Sequence, residues 1–121
     1  MNKQELNKKL IEFAGFRLID KTSVPYYVAP NGSTITRSSN MPHFTQSPDA
    51  FFKYLKPEIN KRGFNILIYQ VKKGWCVNFL WLEDTGMKRR QRVTNDKYES
   101  VDKELAIALC MATEKLIDSE K

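Results

Sequence analysis

The sequence predicts an α+β domain: a three-layer α-β-α sandwich in which a small antiparallel sheet is built on a central hairpin, with helices on both of its faces. Three observations carry this expectation. Between Asn65 and Glu83, two apolar runs, Ile66 to Val71 and Trp75 to Leu82, are separated only by Lys72, Lys73 and Gly74, and strands joined so tightly pair antiparallel. Both parities of the second run are apolar, since Leu80 and Leu82 alternate with Phe79 and Trp81, so both sheet faces call for cover. Amphipathic helical patterns before and after the hairpin can supply it.

The first helix is capped by Asn2, with Glu5 in the capping-box position and Leu6, Leu10, Phe13 and Ala14 on one face. Gly15 supplies a left-handed stop, and Phe16 folds back on the last turn. Arg17 to Ile19 begins a short extended segment. From Lys21 to Met41 the chain is loop-rich, with short strands at VPYYVAP and STITRSS, and Pro25 and Pro30 confine the first of these to a sheet edge. Ser47 caps a second helix with Pro48 at its first position and Asp49 complementing the dipole. Phe51, Phe52, Leu55 and Ile59 form its apolar stripe, Pro57 predicts a kink or break, and Gly63 ends it. After the hairpin, a turn at Asp84-Thr85-Gly86 leads to the basic run Lys88 to Val93, which alternates as a third strand at the sheet edge, where charge discourages aggregation. Ser100 is expected to cap the last helix, whose apolar residues Leu105, Ala108, Leu109, Cys110, Ala112 and Leu116 make it the central packing helix.

The 121 residues suit a single domain, 1–121, with one core. The N-terminal segment lacks the apolar stretch of a signal peptide and no run is long enough to span a bilayer, so a cytoplasmic protein without membrane contact is expected. Two cysteines and one histidine cannot assemble a tetrahedral zinc set, and Cys76 and Cys110 read as buried thiols. No cofactor is expected. No nucleophile–base pair, phosphate loop or metalloprotease motif is present, which argues against an enzyme. A net charge of +6 favours anionic partners, and fits a solubilising coat equally well.

The segment MPHFTQSPDAFFKYLKP, the Gly-Trp hairpin turn and ELAIALCMATEKLID together resemble the phage ABA sandwich domain, a family of small proteins from phages and prophages of Firmicutes. The likeness rests on Asp49-Ala50 after a Pro-x-Phe-Thr segment and on Ala106, Ala108, Leu109 and Cys110 in the last helix. It implies the α-β-α arrangement and brings no active site with it.

Two surface constellations remain as candidate sites. Lys72 and Lys73 beside Trp75 pair cations with an aromatic ring, suited to a phosphate and a stacked base; the plainer reading makes Trp75 core and the lysines solubilising. Lys88, Arg89, Arg90 and Arg92 put four cations into five positions, and both an anion site and a solvated edge fit them. The expected function is a non-enzymatic phage accessory or counter-defence protein that sequesters a small phosphate-bearing ligand, such as a cyclic-nucleotide immune signal. Arg89, Arg90 and Arg92 would meet phosphate, and Tyr26, Tyr27 or Trp75 would stack on a base. The alternative is a module that binds nucleic acid or a host protein through the basic edge. His43, the only histidine, reads as an ordinary loop residue. A homo-oligomer is expected because a small sheet leaves an exposed edge.

Overall fold

Local signals at the ends of the first two helices act as the sequence predicts. The computed structural model describes residues 2–21, 23–36, 41–85, 88–93 and 97–120, of which 82–85 and 88–93 by their backbone alone. Helix α1 spans Lys3–Phe13, and the Asn2 side chain accepts from the Gln4 amide at 2.9 Å. Gly15 ends it at φ 95°, with the Phe16 amide reaching back to the Ile11 carbonyl at 3.2 Å, the closing bond of a glycine C-cap. Strands β1 (Arg17–Ile19), β2 (Tyr26–Val28) and β3 (Thr34–Ile35) form a small antiparallel sheet. Contrary to the edge expected for the proline-flanked strand, β2 lies in the middle of this sheet, because Pro25 and Pro30 fall outside the paired residues 26–28 and remove no ladder donor.

Pro57 does not break its helix. Ser47 Oγ accepts from the Ala50 amide, and the chain then runs through α2 (Pro48–Ala50), a π-helical stretch (Phe51–Leu55) and α3 (Lys56–Lys61). The Lys56 amide donates to the carbonyl of Phe51, five residues back. This wide turn sits immediately before the residue that has no N–H to give, so the helical path runs on past proline through a wider turn.

Strands β4 (Phe64–Val71), β5 (Gly74–Thr85), β6 (Lys88–Val93) and β7 (Ser100–Asp102) make the larger antiparallel sheet. β4 lies along one side of β5, while β7 and β6 follow one another along its other side, opposite Trp75–Val77 and Leu80–Thr85 respectively. Ser100, expected as a helix cap, is instead a strand residue opposite Val77. Helix α4 begins later, at Leu105, after the Asp102 carboxylate accepts from the Glu104 amide at 2.9 Å.

Helix α4 (Leu105–Ser119) packs on β5 and β7 and against α1, α2 and the π-helical stretch. Ala108, Leu109, Cys110, Ala112 and Thr113 are fully buried there. The face of β5 that carries Val77 and Phe79 joins this core, together with Leu10, Phe44, Phe51, Leu55 and Ile59. The opposite face presents Cys76, Asn78 and Leu80, which are buried but lie outside the core cluster. Lys9 ties α1 to α4 through Asp118 and Glu114, both at 3.1 Å, and these carboxylates hold its ammonium above the ordinary lysine range.

Two outcomes follow. Gly74 has φ 136°, and a Cβ there would overlap the Asp102 carbonyl and stand 2.6 Å from Lys103 Cα. Gly74→Ala should therefore cost at least about 2 kcal/mol in denaturant unfolding, from strain and from parting β5 from β7. Burial pushes the Cys110 thiol from 9.0 up to about 12. Folding favours the neutral thiol, so its contribution is intact below pH 9.0 and is lost as pH rises towards 12, since the unfolded chain ionises first. Denaturation midpoints measured across that window should fall less steeply in Cys110→Ala than in the parent protein.

Candidate ligand-binding site

A helix face and a loop, far apart in sequence, form the most suitable hollow among the described residues. Lys3, Gln4, Asn7, Lys8 and Ile11 recur at helical spacing along one side of α1, while Leu6 and Leu10 face the core. The segment 41–47 is folded on itself, with the Gln46 and Ser47 amides both donating to the His43 carbonyl. Phe44 is fully buried, and its ring meets Tyr54 edge-on at 6.4 Å.

Asn7 joins the two. Its Nδ2 donates to the Pro42 carbonyl at 3.1 Å and its Oδ1 accepts from the Phe44 amide at 2.8 Å. One amide side chain thus satisfies a donor and an acceptor of a segment that has no sheet partner, and fixes that segment along α1.

The resulting cleft has a volume of about 480 Å³, and Tyr27 of β2, Met41, His43, Thr45 and Gln46 complete its lining. This volume lies within the range of small-molecule sites. Two neighbouring hollows share Gln46: one of about 460 Å³ against Lys53 and Tyr54, the other of about 410 Å³ against Lys3 and Leu105. Each of those also carries a carboxylate, Asp49 in the first and Glu104 in the second. The cleft at α1 has two lysines, a histidine and a tyrosine, and no acidic side chain. Among the described residues the ion pairs engage Lys9, Lys61 and Arg62 and leave Lys3 and Lys8 without a carboxylate.

Of the residues singled out in the sequence, Tyr27 lines this cleft, and strand alternation places Tyr26 on the other face of the small sheet. Lys72 and Lys73 are exposed at the β4–β5 turn, and Trp75 beside them is half-buried against the core. Arg89, Arg90 and Arg92 lie on β6, where the register opposes Arg89 to Asp84, Arg90 to Glu83 and Arg92 to Trp81. Opposite charges across a strand pair favour the pairing itself, so two of these arginines have a structural partner position. Trp75 and Glu83 are eight residues apart on β5, about 26 Å at strand rise. The hairpin-turn and arginine constellations consequently occupy opposite ends of one strand and do not converge in a single chain. Among the described residues, no three histidine, cysteine or carboxylate side chains gather as a metal set.

Asn7→Ala should leave the Phe44 amide and the Pro42 carbonyl unpaired and cost about 1–3 kcal/mol in thermal or denaturant unfolding. Asn7→Asp retains the acceptor for the Phe44 amide and loses the donor to Pro42, so it should fall between the parent and Asn7→Ala, with faster hydrogen exchange at Phe44 in Asn7→Ala alone.

No protein-family model matches the chain, and no curated protein or solved structure matches it.

Proposed function

We propose that this protein binds and sequesters a small phosphate-bearing ligand of nucleotide type in the cleft between α1 and the segment 41–47. The observation that carries the reading is the pairing of two cations, Lys3 and Lys8, which no carboxylate among the described residues neutralises, with an aromatic wall, Tyr27, in one hollow whose described lining has no carboxylate. Lysine ammoniums attract phosphate, the tyrosine ring offers a face to a base, and Gln46 and His43 add polar contacts at the mouth. Capture without turnover suits a chain whose sequence holds no catalytic constellation. The resemblance to small phage proteins supplies a setting: a counter-defence protein that removes a cyclic-nucleotide immune signal in the cytoplasm of an infected bacterium.

A second reading uses the basic strand β6 to bind nucleic acid or a host protein, favoured by four cations within the six residues Lys88–Val93. The register weakens it, because Arg89 and Arg90 stand opposite Asp84 and Glu83. Salt separates the two: polymer binding falls steeply with ionic strength as each phosphate contact releases counterions, and an enclosed small-ligand site responds less.

Calorimetric titration with cyclic di- and trinucleotides and cyclic ADP-ribose isomers should give saturable heat with at least one of them. The double change Lys3→Gln, Lys8→Gln should leave the melting curve in place and weaken that binding by at least about tenfold, at about 1.5–3 kcal/mol per charged hydrogen bond lost. The pair Arg90→Gln, Arg92→Gln should bind as the parent does. Silence across the panel, or loss confined to the arginine variant, would overturn the cleft assignment.

A further inference from the structure

The two long edges of the larger sheet are built in opposite ways. β6 carries Lys88, Arg89, Arg90 and Arg92 within six residues. β4, on the far side of β5, reads FNILIYQV: eight residues with no charge, no proline and no glycine. An open edge presents a row of unpaired backbone donors and acceptors, and proteins that remain apart blunt such edges with charge, proline, bulges or short length. β6 has that protection and β4 lacks it. The β4–β5 ladder is regular from Phe64↔Trp81 to Val71↔Gly74, so no bulge twists β4 away. Among the described residues, no strand lies along its outer side. The same strand also bears apolar surface: on the face away from the core cluster, Tyr69 is 44% and Val71 37% exposed, with Leu67 half-buried beside them.

We propose that β4 pairs antiparallel with β4 of a second copy, about a two-fold axis normal to the sheet, joining the two sheets into one. The occupant follows from charge and symmetry. In a chain of net charge +6, self-contact at most surfaces sets cation against cation, whereas β4 meets its own copy with no charge on either strand. An antiparallel two-fold also matches each strand's open donors to the other's open acceptors and keeps like faces on the same side. Eight paired residues extend over about 26 Å, enough for a full ladder between the copies. This interface is independent of what the cleft binds, since no residue of β4 lines it.

Sedimentation equilibrium across a concentration series, combined with amide hydrogen exchange, tests the proposal on the intact chain. The expected mass is twice 14.1 kDa, with the β4 amides that point away from β5 protected and that protection fading on dilution. Leu67→Lys and, separately, Tyr69→Lys should each keep the parent's circular dichroism and raise the dimer dissociation constant by at least about tenfold, since each sets like charges across the new ladder. If neither variant folds, exchange in the parent protein decides alone. A monomer at millimolar concentration, freely exchanging outer β4 amides in a dimer, or a dimer indifferent to both folded lysine variants would each overturn it, the last two by placing the contact elsewhere.

Discussion

Close packing of one small-residue helix holds this molecule together. Ala108, Ala112 and Thr113 give α4 a slim profile, and Leu109, Cys110 and Leu116 fill what lies around it. α1, the π-helical stretch, β5 and β7 can all reach it at once because so little side chain stands between backbones. Dense interiors respond to a change of even one methylene, so this helix is the element least able to accept substitution. Thr113 shows how polar atoms are managed there, its hydroxyl donating back to the Leu109 carbonyl at 2.8 Å.

Elements whose signals are local were legible in the sequence. Asn2, Gly15, Ser47-Pro48 and Gly63 each specify a helix end through their own backbone chemistry, and each performs as its residue type dictates. The hairpin was legible because its apolar runs are long and its turn short. Ser100 was misread because serine suits a helix start as well as a strand, and what decides is pairing with Val77, 23 positions away in the chain. Pro57 declared that a donor was missing and could not declare how the helix would respond.

The cleft was the least legible feature, although Tyr27 was among the residues singled out. Its two walls meet through Asn7 and Phe44, 37 residues apart, and a lone asparagine in a helix carries no motif. Lys3, Gln4, Asn7 and Lys8 on one helical face match the polar side of any amphipathic helix. The arginine run drew attention because its cations are contiguous, yet the acidic pair Glu83-Asp84 before the turn already implied cross-strand partners once an antiparallel register was assumed. Contiguity in sequence was a poor guide to convergence in space, where alternation and strand length scatter neighbours and folding gathers strangers.

The π-helical turn has a consequence beyond the proline it accommodates. A turn closed by a bond to the fifth residue back contains one residue more than an ordinary turn, so Phe51–Leu55 is in effect a helix holding an insertion. The wide turn absorbs the surplus residue, so Phe51, Leu55 and Ile59 all remain fully buried while Phe52 lies 39% exposed. Removing one residue here would close the wide turn to ordinary helical bonding and, because the surplus residue is absorbed within that turn, leave the downstream segment in its present phase. Phe51, Leu55 and Ile59 would then stand three and four residues apart, the spacing that keeps three side chains on one face of an ordinary helix. Length in this short stretch is therefore less constrained than composition: the chain can lose one residue at the wide turn and still present the same apolar face to the core.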